Sequence, residues 1–217
     1  MKPDEKAYTA VMAEIKRRTE IVFALHSKTL NVGYRATQIE SMVLQVRMIL
    51  ELIALASLAA HRSVFEEQKR KFNAHWDPVR ILRDVEKLNP HFYPQPLEEK
   101  PASVPGLVNE LVDLKTGFLT RAELIEIHGR CGNILHARNP YAKPVDYDSY
   151  ERAVPNWMRR IMTLLNCHKI AMYGHDDKFY LVHMKEEHDE LVHMYTFGRV
   201  ADLHADSSEK LAPFVES

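Results

Sequence analysis

At 217 residues the chain suits one large domain, or one domain with a small appendage, burying roughly 70% of the surface exposed by the unfolded form. A net charge of −1 excludes a polyanion binder held by overall electrostatics and leaves room only for a local basic patch. Two cysteines, Cys131 and Cys167, exclude a disulfide scaffold, and 7 Gly beside 9 Met with abundant Leu, Ala, Glu and Arg favours helices.

The N-terminus is charged and amphipathic, without an apolar signal core, so a reduced cytoplasm is the expected compartment. Residues 6–25 carry Val11, Ile15, Val22 and Phe23 among charges and read as a first helix. Residues 35–61, free of Gly and Pro, read as the longest helix. Its second half is apolar nearly all round, which marks it as the central buried strut. The most apolar run, residues 48–60, contains Glu51 and is too short to span a bilayer, so no membrane is expected. Within this helix Glu40, Arg47 and Glu51 form a charged stripe at i, i+7 and i+11. Arg47 and Glu51 are spaced to pair with one another, as a structural network or as support for a site across the bundle. Residues 63–73 are polar and extend this helix or begin another on the surface.

Asp77-Pro78 is an N-cap followed by proline at the first helical position, opening a short helix over 79–88. Residues 89–106 hold five prolines and no periodicity, which predicts a long loop. In it His91-Phe92-Tyr93-Pro94, with Trp76 upstream, either anchors the loop to the helices or offers rings to stack on bases. Thr120 and Glu123 make a capping box, and the helix they open runs to about His136, before Asn139-Pro140. Residues 147–166 read as a further helix with Trp157, Met158, Ile161 and Leu165 on one face and Pro155 in its first turn. Arg152, Arg159 and Arg160 surround Trp157 as a solvated face or an RNA-steering group. After Cys167, residues 169–173, 178–184 and 191–200 are short runs rich in Val, Tyr, Phe and Met, predicting an antiparallel meander in which His183 and His193 face each other.

The resulting expectation is a mainly α protein: a helical bundle over 1–166, a small C-terminal β-hairpin or three-stranded meander over 167–200 packed on it, and a loosely ordered tail over 201–217. Gly-rich phosphate loops, G-x-S-x-G elbows and H-E-x-x-H motifs are absent from the sequence, which removes the common nucleotide-binding, esterase and zinc-protease readings.

Chemistry concentrates in residues 119–141, LTRAELIEIHGRCGNILHARNPY. Arg130 and His136 lie six positions apart, about 120° around a helix and roughly 9 Å along it. An imidazole at a helix end can move a hydroxyl proton, and an arginine fork suits phosphate oxygens or the charge of a phosphorane-like transition state. Asn133, one turn before His136, is placed to orient the imidazole or touch substrate, and Arg138 adds a nearby cation. The structural alternative has His136 at the helix C-terminus, favoured by the dipole, and Arg130 paired with Glu123 or Glu126 on the surface. His128, Cys131 and His136, with Cys167-His168 beyond, also supply zinc-type ligands, in a spacing that matches no standard knuckle.

The run Arg130-CGNIL-His136 resembles the R-x4-6-H motif of the HEPN superfamily, small helical bundles that include metal-independent ribonucleases of toxin–antitoxin, CRISPR and phage-defence systems. The resemblance covers about residues 1–166. It implies His136 as acid/base, Arg130 as phosphate binder, no cofactor, and a site shared across a homodimer. The implied reaction is attack of an RNA 2′-hydroxyl on the adjacent phosphate. Two positions depart from the family pattern: Cys131 stands where a polar residue, commonly Asn, follows the arginine, and Arg138 stands where many members have Tyr. Arg47 and Glu51 are the supporting residues expected from the long helix. The competing expectation is a non-catalytic interaction or dimerisation protein, a scaffold in a defence or regulatory system, with the meander edge open to a protein partner.

Overall fold

The computed structural model describes residues 5–61, 77–101, 103, 109–136, 141, 143–171, 178–184, 189 and 191–198. It is mainly α, as the composition predicts. Five helices are described: α1 (Glu5–His26), α2 (Arg35–Ala60), α3 (Pro78–Leu88), α4 (Arg121–Leu135) and α5 (Tyr147–Leu165).

Helix α2 sits at the centre, packed against α1, α3, α4 and α5. Its buried residues, among them Ile39, Val43, Val46, Ile49, Leu50 and Ile53, recur at three- and four-residue steps and fall on one broad face, while Leu44 is exposed, so neighbours cover one side of the helix rather than all of it. Each such side chain contributes roughly 1.5–3 kcal/mol when fully removed from water. By length and composition alone α2 could also cross a membrane, which the 48–60 run did not suggest; half of its most apolar stretch is buried inside the fold. Helix α1 lays Tyr8, Met12, Ile15, Val22 and Leu25 along one stripe. Helix α3 starts as its sequence predicts, with Asp77 accepting from the Val79 amide at 3.1 Å. In α5 the N-cap is Asp146, accepting from the Ser149 amide at 3.0 Å.

Pro155 was expected in the first turn of α5 and instead lies inside the helix. It faces solvent, where a missing N–H donor costs least and the helix passes through.

The sheet is larger than the expected hairpin or meander. Strands β1 (Gln95–Pro101), β2 (Asn109–Asp113), β3 (Cys167–Ala171), β4 (Lys178–His183) and β5 (His193–Gly198) form one antiparallel sheet in the order β2-β1-β3-β4-β5. The three C-terminal strands are the predicted meander. The correction is β1 and β2, part of which lies in the segment read as a loop. Its prolines hid the strand: Pro96 sits beside the strand start and Pro101 at its end, where a lost donor is tolerated. Contact between β1 and β3 is two registered pairs only, Gln95 with Lys169 and Pro96 with His168.

One sheet face, through Ile170, Tyr180 and Val182, joins the helical core. Beneath β3 the imidazole of His168 is fully buried, its Nδ1–H donating to the Leu165 carbonyl at 2.8 Å while Nε2 accepts from the Tyr8 hydroxyl at 2.7 Å. The opposite face carries Lys169, Phe179, Leu181, His183, His193, Tyr195 and Phe197 in register, and His183 does stand opposite His193. Expectations for residues 63–73, Trp76, Asn139-Pro140 and 201–217 fall outside the described residues.

Candidate functional site

Helix α4 is set by its N-terminus. The Thr120 hydroxyl accepts from the Glu123 amide at 3.3 Å and the Glu123 carboxylate accepts from the Thr120 amide at 2.9 Å, completing the predicted box. Glu123 also pairs with Arg160 of α5 at 2.5 Å, and Arg121 with Glu86 of α3 at 2.8 Å. The helix runs unbroken across Gly129 and Gly132. At Gly132 a reason for glycine is visible: an added Cβ would stand 2.9 Å from Nη1 of Arg47.

Arg130 is half-buried and turns toward α5. Its guanidinium carbon lies 5.0 Å from the Trp157 ring centre and 5.8 Å from that of Tyr150, and the Tyr150 hydroxyl donates to the Arg130 carbonyl at 3.0 Å. Trp157 and Tyr150 meet edge to face at 6.3 Å. Arg130 therefore has an aromatic seat rather than a surface ion pair with Glu123, whose carboxylate is taken by Arg160. The guanidinium carbon over both rings is a cation–π contact, which draws on the cation's charge and not on a hydrogen-bond acceptor.

His136 is the residue that ends α4, exposed, with extended backbone (φ −96°, ψ 142°). Asn133, one turn earlier, is also exposed. Arg130, Asn133 and His136 thus follow one another at i, i+3 and i+6 along the last two turns. Among the described residues Arg130 and His136 make no hydrogen bond with each other. Arg138 lies outside the described residues.

A second polar centre lies where α2 meets α4. Glu51 Oε1 accepts from Arg47 Nε at 3.0 Å and contacts His128 Nε2 at 3.1 Å. The three side chains are 25%, 29% and 11% exposed respectively, so the cluster is partly sheltered from screening. The predicted stripe therefore supports α4 at His128 and Gly132, on the two sides of Arg130 along the chain. Its first member, Glu40, instead accepts from the Tyr147 hydroxyl at 2.7 Å. His128's role with Glu51 had no local signal, because the two are 77 positions apart.

Cys131 is fully buried on the same helix, and burial pushes its thiol up to about 12 despite the nearby charges of Arg47 and Arg130. Among the described residues no three His, Cys, Asp or Glu side chains converge as a metal site.

Of the proline-flanked aromatics, Phe92 is core and Tyr93 donates its hydroxyl to the Leu119 carbonyl at 3.1 Å, so the motif does anchor its segment. His91 stays exposed and lines a cleft of about 380 Å³ with Tyr93, Phe118 and Lys115. Of the three arginines near Trp157, Arg160 is taken by Glu123 and Arg159 donates to Asn156 at 2.7 Å, as a helix-face reading expects. Comparison with family models, curated proteins and solved structures finds no match to this chain.

Proposed function

We propose that this protein is HEPN-like and acts on RNA in the cytoplasm as a homodimer, with Arg130 and His136 at the shared site. The observation that supports the reading is the Arg130 guanidinium carbon over the Trp157 ring, with exposed Asn133 and His136 on the same helix end. In the reaction, the 2′-oxygen bonds to phosphorus and the bond from phosphorus to the 5′-oxygen breaks, leaving a cyclic phosphate. One imidazole takes the 2′ proton and a protonated imidazole gives one to the departing 5′-oxygen. A single His136 per chain supplies one of these two roles at a time, which is why a second copy belongs in the mechanism. Arg130 holds the non-bridging oxygens as charge grows on them. The Arg47–Glu51–His128 cluster supports the helix that carries all three residues.

The test is cleavage of RNA in EDTA by wild-type protein beside His136→Ala, with matched circular dichroism and sizing. Loss of a proton-transfer group lowers the rate by roughly 10²–10⁴-fold. Arg130→Lys, which keeps the charge and loses the planar fork, is expected to fall by more than tenfold while remaining folded. Equal cleavage by wild-type and His136→Ala, or none by either, would remove the mechanism.

A second reading, a non-catalytic interaction or scaffold protein, is favoured by one observation. One of the two outer strands of the described sheet, β5, carries Phe197 at 41% exposure and holds no Asp, Glu, Lys, Arg or proline, a composition suited to an edge that accepts another strand.

A further inference from the structure

The cleft beside β1 and β2 lies away from Arg130 and His136 in sequence and belongs to different elements. Its walls are the segment before β1 and the segment after β2, and His91, Tyr93, Phe118, Gln95, Asp113 and Lys115 line it. Its volume, about 380 Å³, is in the range of small-ligand sites. Tyr93 is fixed at its base by the bond to Leu119, so the ring is held in place. His91 is exposed and Phe118 half-exposed, leaving both available to an entering ring.

The charges are unequal. Asp113 accepts from Lys169 at 2.5 Å and meets Lys115 only at 3.7 Å. One carboxylate therefore serves two ammonium groups, and the Lys169 ammonium beside it holds the Asp113 carboxyl below the usual range. Lys115, with 82% of its side chain exposed, is the surplus cation at the mouth. Rings beside two ammonium groups that share one carboxylate fit a ligand that joins a flat ring to an anion. The Gln95 amide adds a donor and an acceptor for the ring's edge.

The outward sheet face continues from this corner. Gln95 is registered with Lys169, Lys169 with Leu181, and Leu181 with Tyr195, a row crossing four strands. The adjoining row brings Phe179 and Phe197 into parallel contact at 5.6 Å. Leu181 in the middle of this row is buried, so a chain leaving the cleft would reach exposed rings only on the far strand, at Tyr195 and Phe197.

We propose that this cleft binds one nucleoside phosphate unit, its base against His91 and Phe118 and its phosphate on Lys115. The site deepens the RNA reading and rests on it for its natural source, a single strand docked at a distance from the cleavage pair. A free mononucleotide offers the same chemistry.

The test is fluorescence anisotropy of a labelled oligouridylate, with unlabelled UMP as competitor, on the full chain and on Lys115→Gln, His91→Ala and His136→Ala. Both cleft positions are exposed, so their variants should fold, and circular dichroism checks this. Lys115→Gln and His91→Ala are each expected to weaken binding by roughly five- to tenfold, the lower range for losing one stacked base or one charged contact. Lys115→Gln should also flatten the salt dependence. Competition by UMP at affinity similar to the strand identifies the free nucleotide as occupant, and strand binding that UMP does not displace identifies RNA. Wild-type affinity in both cleft variants, or no binding of either probe by wild-type protein, overturns the proposal. Normal binding by His136→Ala with lost cleavage supports both sites. Weakened binding in the cleft variants, with cleavage unchanged in His136→Ala, keeps the cleft and removes the cleavage mechanism.

Discussion

His168 gives the fold a calculable weakness to acid. The imidazole is fully buried, and its two hydrogen bonds, to the Leu165 carbonyl and from the Tyr8 hydroxyl, fix the neutral ring with hydrogen on Nδ1. A second proton would place a charge in the core with no carboxylate in contact, and His183 nearby adds repulsion when protonated. Burial accordingly lowers the group from its ordinary 6.5 to about 4. In the unfolded chain the same ring protonates near 6.5, so between these values the unfolded state binds more protons and stability falls as pH falls. The contribution is whole above the upper value and gone below the lower one, a total of about 3 kcal/mol. At pH 5 the loss from the neutral plateau is about 2 kcal/mol. His61 is also lowered by burial and adds a slope of the same sign. The lowered carboxylates Glu14, Asp113 and Asp148 titrate further down, so this window reads imidazoles.

Urea unfolding at neutral pH and at about pH 5, on wild-type protein, His168→Gln and Tyr8→Phe, measures the effect. His168→Gln is expected to lose about 1–3 kcal/mol at neutral pH, from the unpartnered Leu165 carbonyl, and then to change about 2 kcal/mol less than wild type on acidification. Tyr8→Phe strands the Nε2 acceptor, so it should be weakened at neutral pH and, with the neutral ring less favoured, lose somewhat less than wild type on acidification. An identical pH response in His168→Gln and wild type would refute the assignment of the acid sensitivity to this ring.

Glu51→Gln removes the charge that Arg47 and His128 share. With these groups a quarter exposed, the expected loss is about 1 kcal/mol, and a double-mutant cycle with Arg47→Met should return a favourable coupling; additivity within error would show that the pair does not couple. Cys131 and Cys167, pushed up by burial to about 12 and about 11, are expected to react with a thiol-specific disulfide reagent far more slowly in native than in denatured protein. Fast modification of both thiols in the folded chain would contradict that. Thr120→Ala should lower stability by about 1 kcal/mol through loss of the capping box, read as a lower unfolding midpoint; an unchanged midpoint would mean that Glu123 holds the helix start through Arg160 alone.

The helices were legible because their signals are local. Asp77-Pro78 and Thr120 with Glu123 state where α3 and α4 begin, and the unbroken run of α2 states that it is one long helix, though not that only one of its faces is covered. Strand β1 was illegible for the opposite reason. Its residues, QPLEEKP, carry two prolines and three charges, and only pairing with β2 along its length makes it a strand. Partners 56 positions or more apart, such as Asp113 and Lys169, leave no mark within a window of sequence.

The candidate site divides along the same line. Spacing alone placed Arg130, Asn133 and His136 on one helix end, because three positions are most of a turn. What spacing could not supply is the direction of the Arg130 side chain, which offers two plausible answers from sequence: Glu126, one turn away, or anything across the bundle. Across the bundle stand Trp157 and Tyr150 on α5, and a ring face costs the guanidinium less desolvation than a buried carboxylate would. The same logic explains Glu51. A carboxylate in the most apolar helix of the chain needs a partner, Arg47 supplies one by local spacing, and His128 supplies the other only once α4 is docked. Because that second partner lies two residues before Arg130, the partly buried charge on α2 is tied to the position of the α4 segment that carries Arg130.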